Sequence, residues 1–140
     1  MKLISFLLWH LSNFYNKTAL VIASETGNEE IFHLLLENKR IELGKGVFQN
    51  CSSLKEITIP SSITLIEEDA FKNCNSLRTV FIPTTVKSIG KSVFHGCISL
   101  DKVIIPPLIT LIDERTFYDC QSLKQITIPS SVTSIGCFAF

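Results

Sequence analysis

From residue 43 onward the apolar positions recur on a fixed grid. Phe48, Phe71, Phe94, Phe117 and Phe140 are spaced 23 residues apart, and the residues between them keep one order. Cys51, Cys74, Cys97 and Cys120 each follow a phenylalanine by three residues, and Leu54, Leu77, Leu100 and Leu123 come three further on. Ile57, Val80, Val103 and Ile126 are next, then Ile59, Ile82, Ile105 and Ile128, and then always proline, at 60, 83, 106 and 129. Each period closes with a second aliphatic pair, such as Ile63 and Ile66 or Val86 and Ile89. SLKEITIPSS at 53–62 and SLKQITIPSS at 122–131 are one unit sampled three periods apart.

A unit this short cannot bury its own apolar face, so it must stack on copies of itself as a solenoid. The alternation at the end of L-x-x-I-x-I predicts a short strand with two inward aliphatic residues. The following proline lacks an N–H and fixes its backbone, which ends the strand and turns the chain. The aliphatic pair beyond the proline lines another wall. In EEDAFKNC, Ala70, Phe71 and Cys74 fall at helical offsets, which predicts a short helical turn at 67–74. Asn50, Asn73, Gly96 and Asp119 precede the ladder cysteines and tolerate left-handed backbone, so each helical piece is expected to end on a positive-φ residue. Ser53, Ser76, Ser99 and Ser122 are expected to hydrogen-bond backbone at a corner.

The unit F-x-x-C-x-S-L-x-x-I-x-I-P-x-x-I-x-x-I resembles the leucine-rich repeat of the BspA-like surface-antigen type, over residues 43–140 in about four units. The resemblance implies a curved ladder of coils used for adhesion or protein recognition, with no active site.

Residues 16–42 carry a different pattern. Leu20, Ala23, a Gly27-Asn28 turn and Ile31, Leu34, Leu35 and Leu36 read as two short helices back to back. Thr18 and Asn28 can cap them, with Glu29 and Glu30 in the favourable first turn of the second. The segment resembles one ankyrin repeat, T-x-L-x-x-A-x-x-x-G-x-x-E-I-x-x-L-L-L, although Ala19, Val21 and Lys39 replace that family's usual proline, histidine and glycine. The expected fold class is therefore a repeat solenoid of mixed α and β, with an ankyrin-like helical hairpin ahead of 23-residue coils. Because 43–48 aligns with 89–94, the two repeat types are expected to share one core without a flexible linker. In residues 1–15, Leu3, Ile4, Leu7, Leu8, Leu11, Phe14 and Tyr15 make one helical face, a capping helix or part of an earlier ankyrin unit.

Composition adds mainly exclusions. Acidic and basic side chains balance at 13 each, and no basic run draws the chain to nucleic acid. No apolar run reaches the roughly 18 residues of a membrane span. Lys2 ahead of Leu3–Trp9 raises an export signal, but Ser5 interrupts the stretch, His10 ends it and no A-x-A site follows. The expectation is a cytoplasmic chain, with the cell surface as the alternative.

The four ladder cysteines read as a stacked core column rather than disulfides, since its members point inward together instead of at one another. Cys137 lies off the ladder, where other units carry Glu68, Lys91 and Glu114, and is expected to be exposed. With no C-x-x-C pair, no His at ligand spacing, no phosphate loop and no nucleophile paired with His10, His33 or His95, neither metal, cofactor nor enzyme activity is expected.

A binding surface is sought where the copies differ. The outward strand position reads Thr58, Phe81, Ile104, Thr127, which places Phe81 beside Ile104 on the exposed face. Lys102 shares that face, and Leu108 stands where other units have Ser62, Thr85 and Ser131. These four residues are the candidate contacts for a protein partner of unknown identity. A further expectation is an uncapped last coil exposing Ile126, Ile128 and Ile135, which favours end-to-end self-association; a fragment of a longer repeat protein is an alternative to the protein-binding scaffold.

Overall fold

The computed structural model describes residues 43–140. Each coil contributes two short strands: β1 (Glu56–Thr58) and β2 (Leu65–Ile66), β3 (Thr79–Phe81) and β4 (Ser88–Ile89), β5 (Lys102–Ile104) and β6 (Leu111–Ile112), β7 (Gln125–Thr127) and β8 (Ser134–Ile135). Coils 1 to 4 span 44–66, 67–89, 90–112 and 113–135, and residues 136–140 open a fifth. The first strands form one parallel sheet in the order β1-β3-β5-β7. The second strands form two parallel pairs, β2-β4 and β6-β8. All pairing is between residues one period apart, such as Ile57 with Val80 and Ile66 with Ile89. Leu43 bridges to Ile66, so the grid continues to the first described residue.

The core is built of columns. Phe48, Phe71, Phe94, Phe117 and Phe140 stack at centroid distances of 5.1, 5.6, 5.5 and 5.7 Å with nearly parallel rings. Ile57, Val80 and Val103, and the leucines Leu54, Leu77 and Leu100, fill the space behind the first sheet. The cysteine column has a polar reason as well as an apolar one. The thiols of Cys74, Cys97 and Cys120 donate to the carbonyls of Phe48, Phe71 and Phe94 in the preceding coil, at 3.0, 3.2 and 3.1 Å. A residue here must be small, apolar and able to donate one weak hydrogen bond, which describes cysteine. Cys51, Cys74 and Cys97 are buried free thiols, Cys120 is half-buried, and Cys137 is exposed as expected.

The third side of each coil corrects the helical expectation. Among the described residues there is no helix; 67–74 and its equivalents are runs of tight turns. Ala70, Lys72 and Cys74 donate back three residues, to Glu67, Asp69 and Phe71. Left-handed residues break the run twice per coil. Asn50, Asn73, Asp119 and Gly96 have the positive φ expected before the cysteine. A second column, Gly46, Asp69, Ser92, Arg115 and Phe138, was not anticipated. The alternate N–H groups that would have closed a helix point to the next coil instead: Asp69, Phe71 and Asn73 donate to the carbonyls of Lys91, Val93 and His95. This turn side is thus a third inter-coil ladder.

One further expectation changes, and another is not reached. Ser53, Ser76, Ser99 and Ser122 make no hydrogen bond through their hydroxyls; the coil-bridging hydroxyls are Thr85, to the Ile63 carbonyl, and Ser131, to the Ile109 carbonyl. The capping helix and the ankyrin-like hairpin, with the core they were expected to share, lie outside the described residues. Among the described residues no helix is long and apolar enough to cross a membrane.

Candidate functional site

The strand ladders are uneven, and the unevenness marks one place. Between coils 1 and 2, β1 and β3 pair at three residues, and between coils 3 and 4, β5 and β7 do the same. Between coils 2 and 3, β3 and β5 pair only at Thr79 with Lys102, and β4 and β6 do not pair. Bonds present at the other junctions are missing here. Ile59 N–H donates to Phe81 O and Ile105 N–H to Thr127 O, but no such bond joins Ile82 to Ile104. Lys87 N–H donates to Thr64 O and Thr133 N–H to Thr110 O, but Thr110 N–H does not reach Lys87 O. Gly90 and Gly136 N–H bond Ile66 O and Ile112 O, while Asp113 N–H makes no equivalent bond to Ile89 O. The turn side keeps its ladder at this junction and Asp101 N–H still donates to Arg78 O, so coils 2 and 3 stay packed together but share fewer strand-face hydrogen bonds.

The local sequence explains the missing bonds. Coil 3 carries Pro106-Pro107-Leu108 where other coils read P-S-S or P-T-T. Leu108 has no hydroxyl, so the Val86 carbonyl lacks the side-chain bond that Ile63 O receives from Thr85 and Ile109 O from Ser131. Pro107 adds a second rigid residue at the corner. Phe81 and Ile104, the large apolar outward residues of the first strands, stand on the two strands that pair at a single position. Ile82 is half-buried, in contrast to buried Ile59 and Ile105.

Of the four residues expected to contact a partner, Phe81 lies on β3, Lys102 and Ile104 on β5, and Leu108 at the corner that follows β5. Phe81, Ile104 and Leu108 are 53%, 57% and 48% exposed, as Leu65 and Leu111 on the second strands and Ile135, Phe138 and Phe140 in the last coils are to comparable extents. Lys102 is exposed, with its side chain on the same outward face as Ile104. Beside this junction, at the start of the first strands, runs an open polar groove lined by Arg78, Thr79, Ser99, Asp101, Ser122 and Lys124. The missing backbone bonds are not legible in the strand letters alone: TVF pairs with EIT over three residues but with KVI at one.

The turn side is chemically different and largely self-satisfied. Lys45 bridges Glu68 at 3.0 Å and Lys91 bridges Glu114 at 2.8 Å. Each hydrogen-bonded partner raises the lysine pKa and lowers the glutamate pKa. These pairs reflect an alternation of two coil types: residues 64–71 and 110–117 read TLIEEDAF and TLIDERTF, whereas 87–94 and 133–140 read KSIGKSVF and TSIGCFAF. The glycines have a steric role. A Cβ at Gly90 would lie 2.7 Å from the Glu68 nitrogen, and one at Gly136 2.6 Å from the Glu114 nitrogen. His95 packs edge-on against Tyr118, and its Nδ1 is buried without a hydrogen-bond partner. Burial, then the charges of Lys72 and Arg115, hold its pKa below the ordinary value. Among the described residues no group of three or more His, Cys, Asp or Glu is placed to hold a metal ion.

Comparison with known proteins agrees with this architecture. A family model described as "BspA type Leucine rich repeat region" matches residues 28–140 in 6 copies. The match starts inside the segment read as ankyrin-like, where Ile31, Leu34 and Leu36 precede Leu54, Ile57 and Ile59 by one period. The chain is similar to a solved leucine-rich repeat protein from Bacteroides ovatus, with 36% identity and a TM-score of 0.62 over 65% of this chain and 23% of that one. It is also similar to the leucine-rich repeat protein of T. pallidum, with 32% identity and a TM-score of 0.67 over 71% of this chain and 47% of that one. It thus spans less than half the length of either. No curated protein matches the chain.

Proposed function

The chain belongs to the BspA type leucine-rich repeat family, and on that premise we propose that it is a noncatalytic scaffold that binds a protein partner at the strand-face seam between coils 2 and 3. One observation carries this reading: the departures from the repeat at Phe81, Ile104 and Leu108 coincide with the junction, among the described residues, where the fewest strand residues pair. Phe81, Ile104 and Leu108 supply the apolar contact and Lys102 a charged rim, the arrangement in which a few buried anchors carry most of the binding energy. Selection of a random peptide library on the whole chain tests it. Enriched peptides should lose binding to a Phe81→Thr, Ile104→Thr double variant of unchanged melting temperature. Peptides that bind the variant as well as the parent would place the site elsewhere.

Three finer readings belong to the same proposal. The resemblance to surface antigens supports adhesion at a cell surface, which cleavage by external protease on intact cells would reveal and protection would contradict. The ankyrin-like pattern of 16–42 supports a helical hairpin, whereas the grid alignment of Ile31, Leu34 and Leu36 supports a further coil. Since no helix lies in 43–140, far-UV circular dichroism of the chain separates the two. In this 140-residue chain Ile128, Ile135, Phe138 and Phe140 are exposed on the last coils, and Ile126 is half-buried. That surface beside β7 and β8 supports end-to-end association, which would appear as concentration-dependent sedimentation.

A further inference from the structure

The charges of the described residues are sorted by side, and this specifies what the seam would hold. The strand side carries five cations, Lys55, Arg78, Lys87, Lys102 and Lys124, against two acids, Glu56 and Asp101. The turn segments 44–51, 67–74, 90–97 and 113–120 carry four cations against six acids. The described residues therefore present a positive strand side and a negative turn side. Pairing sharpens the contrast. All four turn-side cations, Lys45, Lys72, Lys91 and Arg115, are in salt bridges. On the strand side Lys124 pairs with Asp101 at 3.2 Å, while Arg78, Lys102, Lys87 and Lys55 make no ion pair.

Two of those unpaired cations flank the seam. Lys102 is the partner of Thr79 at the single point where β3 and β5 still pair, and Arg78 precedes Thr79. The polar groove there continues past Ser99 and Ser122, whose hydroxyls make no hydrogen bond and can donate to an oxygen ligand. The exposed apolar residues and these two cations thus lie on the same pair of coils, with Asp101, paired to Lys124, in the groove beside them.

Resting on the strand-face reading above, we propose that the occupant is an acidic polypeptide segment with a bulky apolar anchor. The anchor covers Phe81, Ile104 and Leu108, and flanking carboxylates face Arg78 and Lys102. A planar guanidinium suits a carboxylate, and rim charges of this kind govern partner choice and association rate more than total affinity. A polyanion without an apolar residue would satisfy only the rim, and a cationic peptide would be repelled by it.

The test uses the whole chain and two fluorescent synthetic peptides, each with a central Phe-Leu pair, one flanked by glutamates and one by lysines, with single-stranded DNA as a competitor. The glutamate peptide should bind about tenfold more tightly than the lysine peptide at low salt, and the gap should narrow as salt screens the rim. An Arg78→Glu, Lys102→Glu variant should reverse the preference, and Arg78→Gln, Lys102→Gln should abolish it, both with unchanged melting temperature. DNA should not displace the peptide. Equal binding of the two peptides, binding of neither, a preference untouched by the charge variants, or displacement by DNA would overturn the inference. Phe81→Thr, Ile104→Thr separates the levels: if it weakens both peptides equally and no charge preference exists, the strand-face site stands and only the acidic partner falls. If it changes nothing, the strand-face site itself falls.

Discussion

Leu108 shows how a single side chain can set the behaviour of a junction. In coils 2 and 4 the equivalent hydroxyl spans to the previous coil, and in coil 3 a methyl-branched chain leaves the Val86 carbonyl without it. Leu108→Ser should restore the bond and raise stability by about 1 kcal/mol, the usual net worth of one hydrogen bond, as read by urea denaturation. The same change should weaken peptide binding, and a destabilised variant would contradict the assignment. Ser92 makes a second residue-scale prediction. It is buried with φ of 54°, in a column otherwise filled by Gly46, Asp69, Arg115 and Phe138. Ser92→Gly should stabilise by about 1 kcal/mol, because the left-handed region is free of Cβ strain for glycine, and Ser92→Val should destabilise by at least as much. Thermal melts of the pair check the signs. The left-handed residue before each cysteine was legible because Asn, Gly and Asp share one conformational tolerance. The second column was not, since its residues have no chemistry in common.

The strand, the corner and the turn run are legible to different degrees for physical reasons. L-x-x-I-x-I-P announces a strand and its end. The second strands have two residues each, too short for an alternation to register. Ala70, Phe71 and Cys74 point inward from a chain of tight turns as they would from a helix, so inward spacing alone could not tell the two apart. The I-x-x-L-x-L spacing of 31–36 has the same ambiguity, being compatible with both a helix face and a leucine-rich coil. The cysteine column carries the prediction at this scale. The neighbouring Cys51 thiol and burial raise the Cys74 pKa, burial and then Cys120 raise that of Cys97, and burial pushes Cys120 up to about 12. An unfolded thiol ionises near pH 8.5, so above that pH the unfolded chain has released protons that the folded column retains. The column's contribution is therefore complete below about pH 8.5 and is lost as the pH rises toward 12. Denaturation midpoints should fall between pH 8 and 10, and fall less steeply in a Cys97→Ala variant than in the parent.

At the scale of the molecule the coils are grouped. β1 with β3 and β2 with β4 join coils 1 and 2, β5 with β7 and β6 with β8 join coils 3 and 4, and the turn ladder and the phenylalanine stack run through all of them. The solenoid itself could be read directly from the period, because stacking demands the same inward letters from every unit. The grouping could not, because it depends on bonds that are not made. In this account the seam between the two pairs is both the weakest part of the strand face and the place of recognition. Residue-resolved amide exchange of the chain, free and with the glutamate-flanked peptide, tests this most directly. Ile82, Thr110 and Asp113 should exchange faster than their equivalents Ile59, Lys87 and Gly90 in the free chain, and should slow on binding. Matched rates in the free chain, or protection that appears only away from coils 2 and 3, would contradict it.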